Sequence, residues 1–187
     1  MRLVSPTPPP GASPPDAEAL QQLERQARTR GSGVGAGALP GRWRLQRVWP
    51  RRGGPPQATA SALLRALDAC LEIGEPGPDG TLPLRNSVAL GPLELRFAGE
   101  GQLTGRRPLL RFWFQRWQLQ LAGRPWLGGA LARPAERSLP FFALIGLGRA
   151  AGDGAAAAGG VEGSDWLAAR GRGGGLALWE RRAGERP

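Results

Sequence analysis

The sequence predicts a mainly β protein, an up-and-down antiparallel β-barrel of about eight strands with one or two short helices. Three observations carry that expectation. Across Leu82–Leu121 apolar and polar residues alternate with a period of two, which turns one side of each strand to a core and the other to water. Gly91, Pro92, Gly99, Gly101 and Gly105 punctuate those runs where a chain would reverse. Connections between the runs are short, so sequential strands pair, and closing the sheet removes its edges while leaving room inside for side chains or one ligand.

Residues 1–15 form a Pro-rich tail with no apolar run, expected to be disordered and neither a membrane span nor a signal peptide. Residues 16–38 are expected to be a helix and a flexible linker. Asp16–Thr29 reads as the helix, capped by Ser13 or Asp16, with acids early, bases late and a thin stripe of Leu20 and Leu23. So narrow a stripe suits a helix that covers an opening or an edge. Gly31–Pro40 reads as a flexible joint.

The barrel is expected over 39–182. Gly41–Trp49 reads as a strand with Trp43 and Leu45 on one face and Arg42 and Arg44 on the other. Ala58–Ala69 has helical spacing through Leu63, Leu64 and Leu67; Cys70–Ile73 reads as a short strand and Pro76–Gly80 as a turn. Leu93, Leu95 and Phe97 alternate with Glu94, Arg96 and Ala98, and Leu110, Phe112 and Phe114 alternate around Arg111 and Trp113. Trp117, Leu119 and Leu121 then fall on positions of the opposite parity. One unbroken strand cannot bury both sets on one face, so a bulge or bend near Gln115–Arg116 is favoured over a strand with two apolar faces. Gly123–Trp126 leads into a loop, and Leu139–Leu147 is an apolar strand far shorter than the roughly twenty residues that cross a bilayer. Residues 150–163 are an Ala/Gly-rich loop. Asp165–Gly171 and Leu176–Arg181 make a closing hairpin, and 183–187 are a tail.

The chain has 187 residues, and removing the tail and the Ala/Gly loop leaves roughly 150, enough to bury about two thirds of the unfolded surface in one core. All 25 basic residues are arginine, and the formal net charge is +10. Such a charge suits an anionic partner. The absence of Lys, His and Tyr beside abundant Ala, Gly, Pro and Arg also matches the codon bias of a GC-rich genome. The single cysteine excludes an intramolecular disulfide and a multi-cysteine metal site, and the lack of histidine excludes imidazole ligands and bases. No metal and no cofactor is expected. Cys70 lies among Ala69, Leu71 and Ile73 and reads as a buried, inert thiol in a reducing compartment.

Asp68, Glu72, Glu94 and Glu100 show no catalytic spacing, so an enzyme is not expected. The Gly-rich run 170–175 lacks the Lys-Ser/Thr ending of a phosphate loop. No nucleic-acid-binding motif is present, and a basic nucleic-acid-binding barrel stands only as an alternative.

Four segments in register carry a family likeness: Leu39–Leu45 (LPGRWRL), Leu84–Gly91 (LRNSVALG), Leu93–Gly101 with Phe112–Leu119, and Asp165–Leu178 with its Arg-Gly-x-Gly-Gly core. Together, over about Leu39–Trp179, they resemble the plastid lipid-associated protein (fibrillin) family, and the short N-terminal tail suits a cyanobacterial-type member. The resemblance implies a lipocalin-like barrel and a non-enzymatic role on the cytoplasmic side of thylakoid membranes or lipid droplets. It also implies a hydrophobic ligand such as an isoprenoid, carotenoid, prenylquinone or acyl lipid. Trp43 would cross the barrel base with Arg170 packed on it, a cation–π contact of about 0.5 to 2 kcal/mol. Where the family carries a second basic residue three positions before that arginine, this chain has Leu167. A lipocalin-like bilin lyase is the alternative on the same fold, though no residue here selects it.

The predicted inner faces supply a candidate ligand lining of Trp43, Leu45, Val88, Leu95, Phe97, Phe112, Phe114, Trp117 and Leu119. The same residues could simply fill a small barrel. Arg42, Arg44, Arg47, Trp49, Arg51 and Arg52 cluster in sequence and suit the headgroup layer of an anionic membrane, or a solvated basic loop.

Overall fold

A computed structural model describes residues 14–51, 57, 66–148 and 164–181. Helix α1 (Ala17–Arg30) starts at Asp16, whose carboxylate accepts a hydrogen bond from the Ala19 N–H at 2.9 Å. Nine strands follow among the described residues: β1 (Gly41–Trp49), β2 (Cys70–Ile73), β3 (Thr81–Leu90), β4 (Leu93–Thr104), β5 (Leu109–Leu121), β6 (Arg124–Ala130), β7 (Phe141–Gly148), β8 (Asp165–Gly171) and β9 (Leu176–Arg181). Most of the 1–15 tail, the body of the expected 58–69 helix, the 150–163 loop, the 183–187 tail and Arg52 lie outside the described residues.

The mainly β expectation holds. Every pairing is antiparallel. The strands run β4-β3-β2-β1-β9-β8-β7-β5, and β5 pairs back onto β4, so eight strands close in a ring. Strand β6 lies outside that ring, on the edge of β5 beyond its contact with β7. It occupies the stretch expected as a loop. Pro125, Gly128 and Gly129 are poor strand formers, and their pairing with β5 overrides that preference.

The register bends where the parity of β5 demanded it. Gly99 opposes Phe114 and Ala98 opposes Arg116, so Gln115 is left over as a bulge. Phe114 and Trp117 therefore reach the same side, while Trp113 faces outward, with the Arg133 guanidinium 3.9 Å above its ring. A second bulge, not foreseen from the sequence, leaves Gln46 over between the pairs Leu45–Trp179 and Arg47–Leu178.

Two cores result. Inside the ring, Trp43, Leu71, Ile73, Leu82, Leu84, Leu110, Phe112, Leu144, Leu167 and Trp179 pack together. Outside it, Leu20, Leu23 and Ala27 of α1 pack on Trp49, Ile145, Trp166, Ala168, Leu176 and Leu178. The helix thus covers the outer face of β7, β8 and β9, not an opening or an edge, because those strands are apolar on both sides. The expected flexible joint is anchored too: Val34 and Leu39 insert into the inner core, and Ala36–Ala38 form a 3-10 turn between them.

Candidate functional site

Strands β3, β4 and β5 are longer than the ring requires. Strand β2 pairs only with Leu84–Ser87 of β3, and β7 only with Leu109–Arg111 of β5. The remainder of the three strands projects past the ring and takes on β6, making a four-stranded apron. Cross-strand register sets its inner face. Val88, Leu95, Leu119 and Leu127 form one row across all four strands, and Leu90, Leu93 and Leu121 form the row beyond it. Phe97 and Trp117 stand opposite each other in the row nearest the ring, with Gly129 beside them; a Cβ on that glycine would come within 3.1 Å of the Trp117 indole nitrogen.

Among the described residues no element covers this face. Leu90 is 64% exposed, Leu127 52% and Leu121 47%, and Trp126, the extra residue of a bulge in β6, is 62% exposed at the same tip. Val88, Leu95, Phe97, Trp117 and Leu119 are half-buried. Exposed groups of large apolar side chains are uncommon on protein surfaces and are typical of interaction sites. The apron is continuous with the ring interior through a file of aromatic contacts. Ring centroids step from Phe97 to Phe114 at 5.4 Å, to Phe112 at 5.6 Å, to Phe142 at 5.1 Å and to Trp179 at 5.3 Å.

Alternate residues give the opposite face of the apron a different character. Arg42, Glu72, Arg85, Glu94, Arg96 and Arg116 line a cavity of about 790 Å³ there. Arg96 pairs with Glu94 at 2.8 Å, and Glu72 lies 3.8 Å from Arg42 and 3.9 Å from Arg85. Arg116 has no carboxylate partner among the described residues.

The candidate lining therefore divides. Trp43, Leu45, Phe112 and Phe114 belong to or pack against the inner core, whereas Val88, Leu95, Phe97, Trp117 and Leu119 pave the apron. Trp43 is fully buried and donates its indole N–H to the Leu39 carbonyl at 2.8 Å. The expected Trp43–Arg170 contact is not formed. Leu167 and Ala169 point into the ring, so Arg170 points out of it and binds Glu24 of α1 at 2.5 Å. Arg181 takes the place on Trp43, 4.6 Å from its ring, and is held by Asp165 at 2.5 Å and by the Pro40 carbonyl.

The expected membrane-contact group also disperses. Trp49 is 3% exposed and lies under α1, because the Gln46 bulge turns it to the outer core. Arg42 and Arg44 are drawn to Asp68, at 3.6 and 3.8 Å. Arg47 stands opposite Leu178, and the Arg51 stem lies over Gly174. Sequence reasoning missed the apron's outermost residues, Leu90, Leu93, Leu121 and Leu127. The alternation was visible; that no ring strand covers it was not.

Cys70 is buried, and its sulfur accepts a hydrogen bond from Arg42 Nε at 3.1 Å. Burial pushes its thiol up despite that cation, so it stays protonated and a weak nucleophile. Among the described residues no group of three or more Cys, Asp or Glu side chains is placed to hold a metal ion, and no helix is long and apolar enough to cross a membrane. Comparison with protein-family models, with curated proteins and with solved structures found no match.

Proposed function

We propose that this chain is a non-enzymatic lipid- or pigment-associated protein, a lipocalin-like barrel of the fibrillin type that attaches peripherally to an anionic, photosynthetic membrane or lipid droplet. The observation that carries this reading is the uncovered apolar apron running into the aromatic file of the ring. The inner core is filled by its own side chains. An acyl, isoprenoid or carotenoid chain would accordingly lie along Val88, Leu95, Phe97, Trp117 and Leu119 rather than deep in the ring. Leu90, Trp126 and Leu127 at the tip would enter the headgroup boundary, where indoles are favoured. The excess of arginine adds attraction to anionic headgroups, about 1 kcal/mol for each basic residue close to the surface.

The test combines native isolation with a substitution. Protein purified from its own host should carry a hydrophobic molecule detectable by absorption and lipid mass spectrometry. Leu90→Asp with Leu127→Asp removes apolar burial worth roughly 1 to 3 kcal/mol per side chain and should weaken liposome flotation at least about tenfold. Isolation free of any such molecule, together with undiminished flotation of the variant, would overturn the proposal.

A further inference from the structure

At the end of β5 away from the stretch that pairs with β6, five arginines from four separate segments converge. Arg28 comes from the last turn of α1, Arg51 from just after β1, Arg107 from the β4–β5 turn, Arg170 from β8 and Arg172 from the turn that follows it. They line a cavity of about 640 Å³ whose apolar wall is Leu109, Phe141 and Ala143. Beneath them lies Glu24, the one carboxylate in ion-pair reach of any of the five among the described residues. Its oxygens meet Arg170 at 2.5 Å, Arg28 at 3.0 Å and Arg107 at 3.5 Å. Among the described residues, five guanidiniums against one carboxylate leave four positive charges uncompensated.

Nor are the donors exhausted. Among the described residues Arg51 makes no ion pair, and the buried Nε of Arg107 has no hydrogen-bond partner. The position of Arg51 is itself built in. Gly174 has φ +85°, and the place of a Cβ there is only 2.6 Å from the Arg51 Cγ, so a glycine is what lets the stem lie across the turn. Arg172 is fixed by donating to the carbonyls of Leu139 at 2.9 Å and Arg137 at 3.0 Å. Preset guanidiniums approaching from several directions suit a tetrahedral oxyanion with three free oxygens better than a planar carboxylate.

We infer that this pocket binds a phosphate monoester, with the organic part of the ligand against Leu109 and Phe141. The phosphate comes either from a soluble metabolite or from the headgroup of an anionic lipid, and the same arginines serve both. The inference does not rest on the apron, which lies elsewhere on the chain.

The experiment uses the whole protein, glycerol 3-phosphate in calorimetry, and vesicles of phosphatidylcholine with and without phosphatidic acid. Arg51→Gln with Arg107→Gln should weaken binding of the phosphate probe by about tenfold or more, the loss of one or two charge-assisted hydrogen bonds. Arg85→Gln with Arg116→Gln removes the same charge from the opposite cavity and should change it little. Affinity for glycerol 3-phosphate that depends on the first pair supports the site with a soluble ligand. Pocket-dependent binding of phosphatidic acid vesicles alone supports it with a headgroup. Equal loss in both double variants, or no binding of either probe by the wild type, overturns it. Attachment to pure phosphatidylcholine reads the apron alone, so the two readings fail separately. Should the first double variant melt at a lower temperature, Arg51→Gln carries the test, since no ion pair among the described residues is lost with it.

Discussion

Gly99 shows how closely single atoms govern this sheet. A Cβ at that position would stand 2.0 Å from the Trp113 carbonyl oxygen and 2.6 Å from the Phe114 Cα, both backbone atoms that no rotamer can move aside. Gly99→Ala should therefore destabilise the protein by about 2 kcal/mol or more through forced separation of β4 and β5. Gly35→Ala, with nothing within 4 Å of the new methyl, should leave the melting temperature nearly unchanged. Thermal unfolding of the two variants side by side checks the difference. At the same scale, one residue of parity decides which arginine caps Trp43. Ala169 faces inward, so its neighbour Arg170 cannot, and Arg181, level with Asp165 across the hairpin, does.

Among the elements, α1 depends most on a single side chain. Its apolar stripe is narrow, and Glu24 adds the bidentate clasp of Arg170 with help from Arg28 and Arg107. Burial by itself would raise the Glu24 carboxyl, but the hydrogen bonds from Arg170 and Arg28 outweigh it and hold the group below the ordinary glutamate value. A depressed value in the folded state means stability that is complete above the ordinary value and lost as pH falls through the lower one. Glu24→Gln should cost about 3 kcal/mol near neutrality, because it strands a partly buried guanidinium, and much less in strong acid, where the wild type has lost the same charge. Melting curves near neutrality and in strong acid check the convergence. The partner of this clasp lies 146 positions away, which is why no local pattern in the sequence disclosed it.

For the molecule as a whole, alternation in Leu82–Leu121 and the Gly-rich hairpin sufficed to foresee a mainly β chain, because a period of two is written locally. The Gln115 bulge was legible because two apolar runs of opposite parity share one strand. The Gln46 bulge was not, since Arg47, Val48 and Trp49 carry no clear alternation to betray it. Strand β6 was hidden by its glycines, whose fitness depends on Trp117 across the pair. The candidate site was half visible. Leu95 and Phe97 were read as lining, but only the lengths of β2 and β7 reveal that part of this lining has no roof.

The bulge at Gln115 also makes β5 unequal in its tolerance of lost residues. With Gln115 removed, Phe114 would be followed directly by Arg116 and Trp117, and simple in-out alternation would be restored without turning a single side chain over. The deletion forfeits the hydrogen bond from the Leu131 N–H to the Gln115 carbonyl, roughly 1 kcal/mol, and flattens the strand. Deleting Gln118 instead would break the alternation that carries Leu119 and Leu121 and set polar groups against apolar ones. Expression and circular dichroism should show the first shortened chain folded and the second not. In β5, then, a frame of one residue separates a silent deletion from one that turns the sheet inside out.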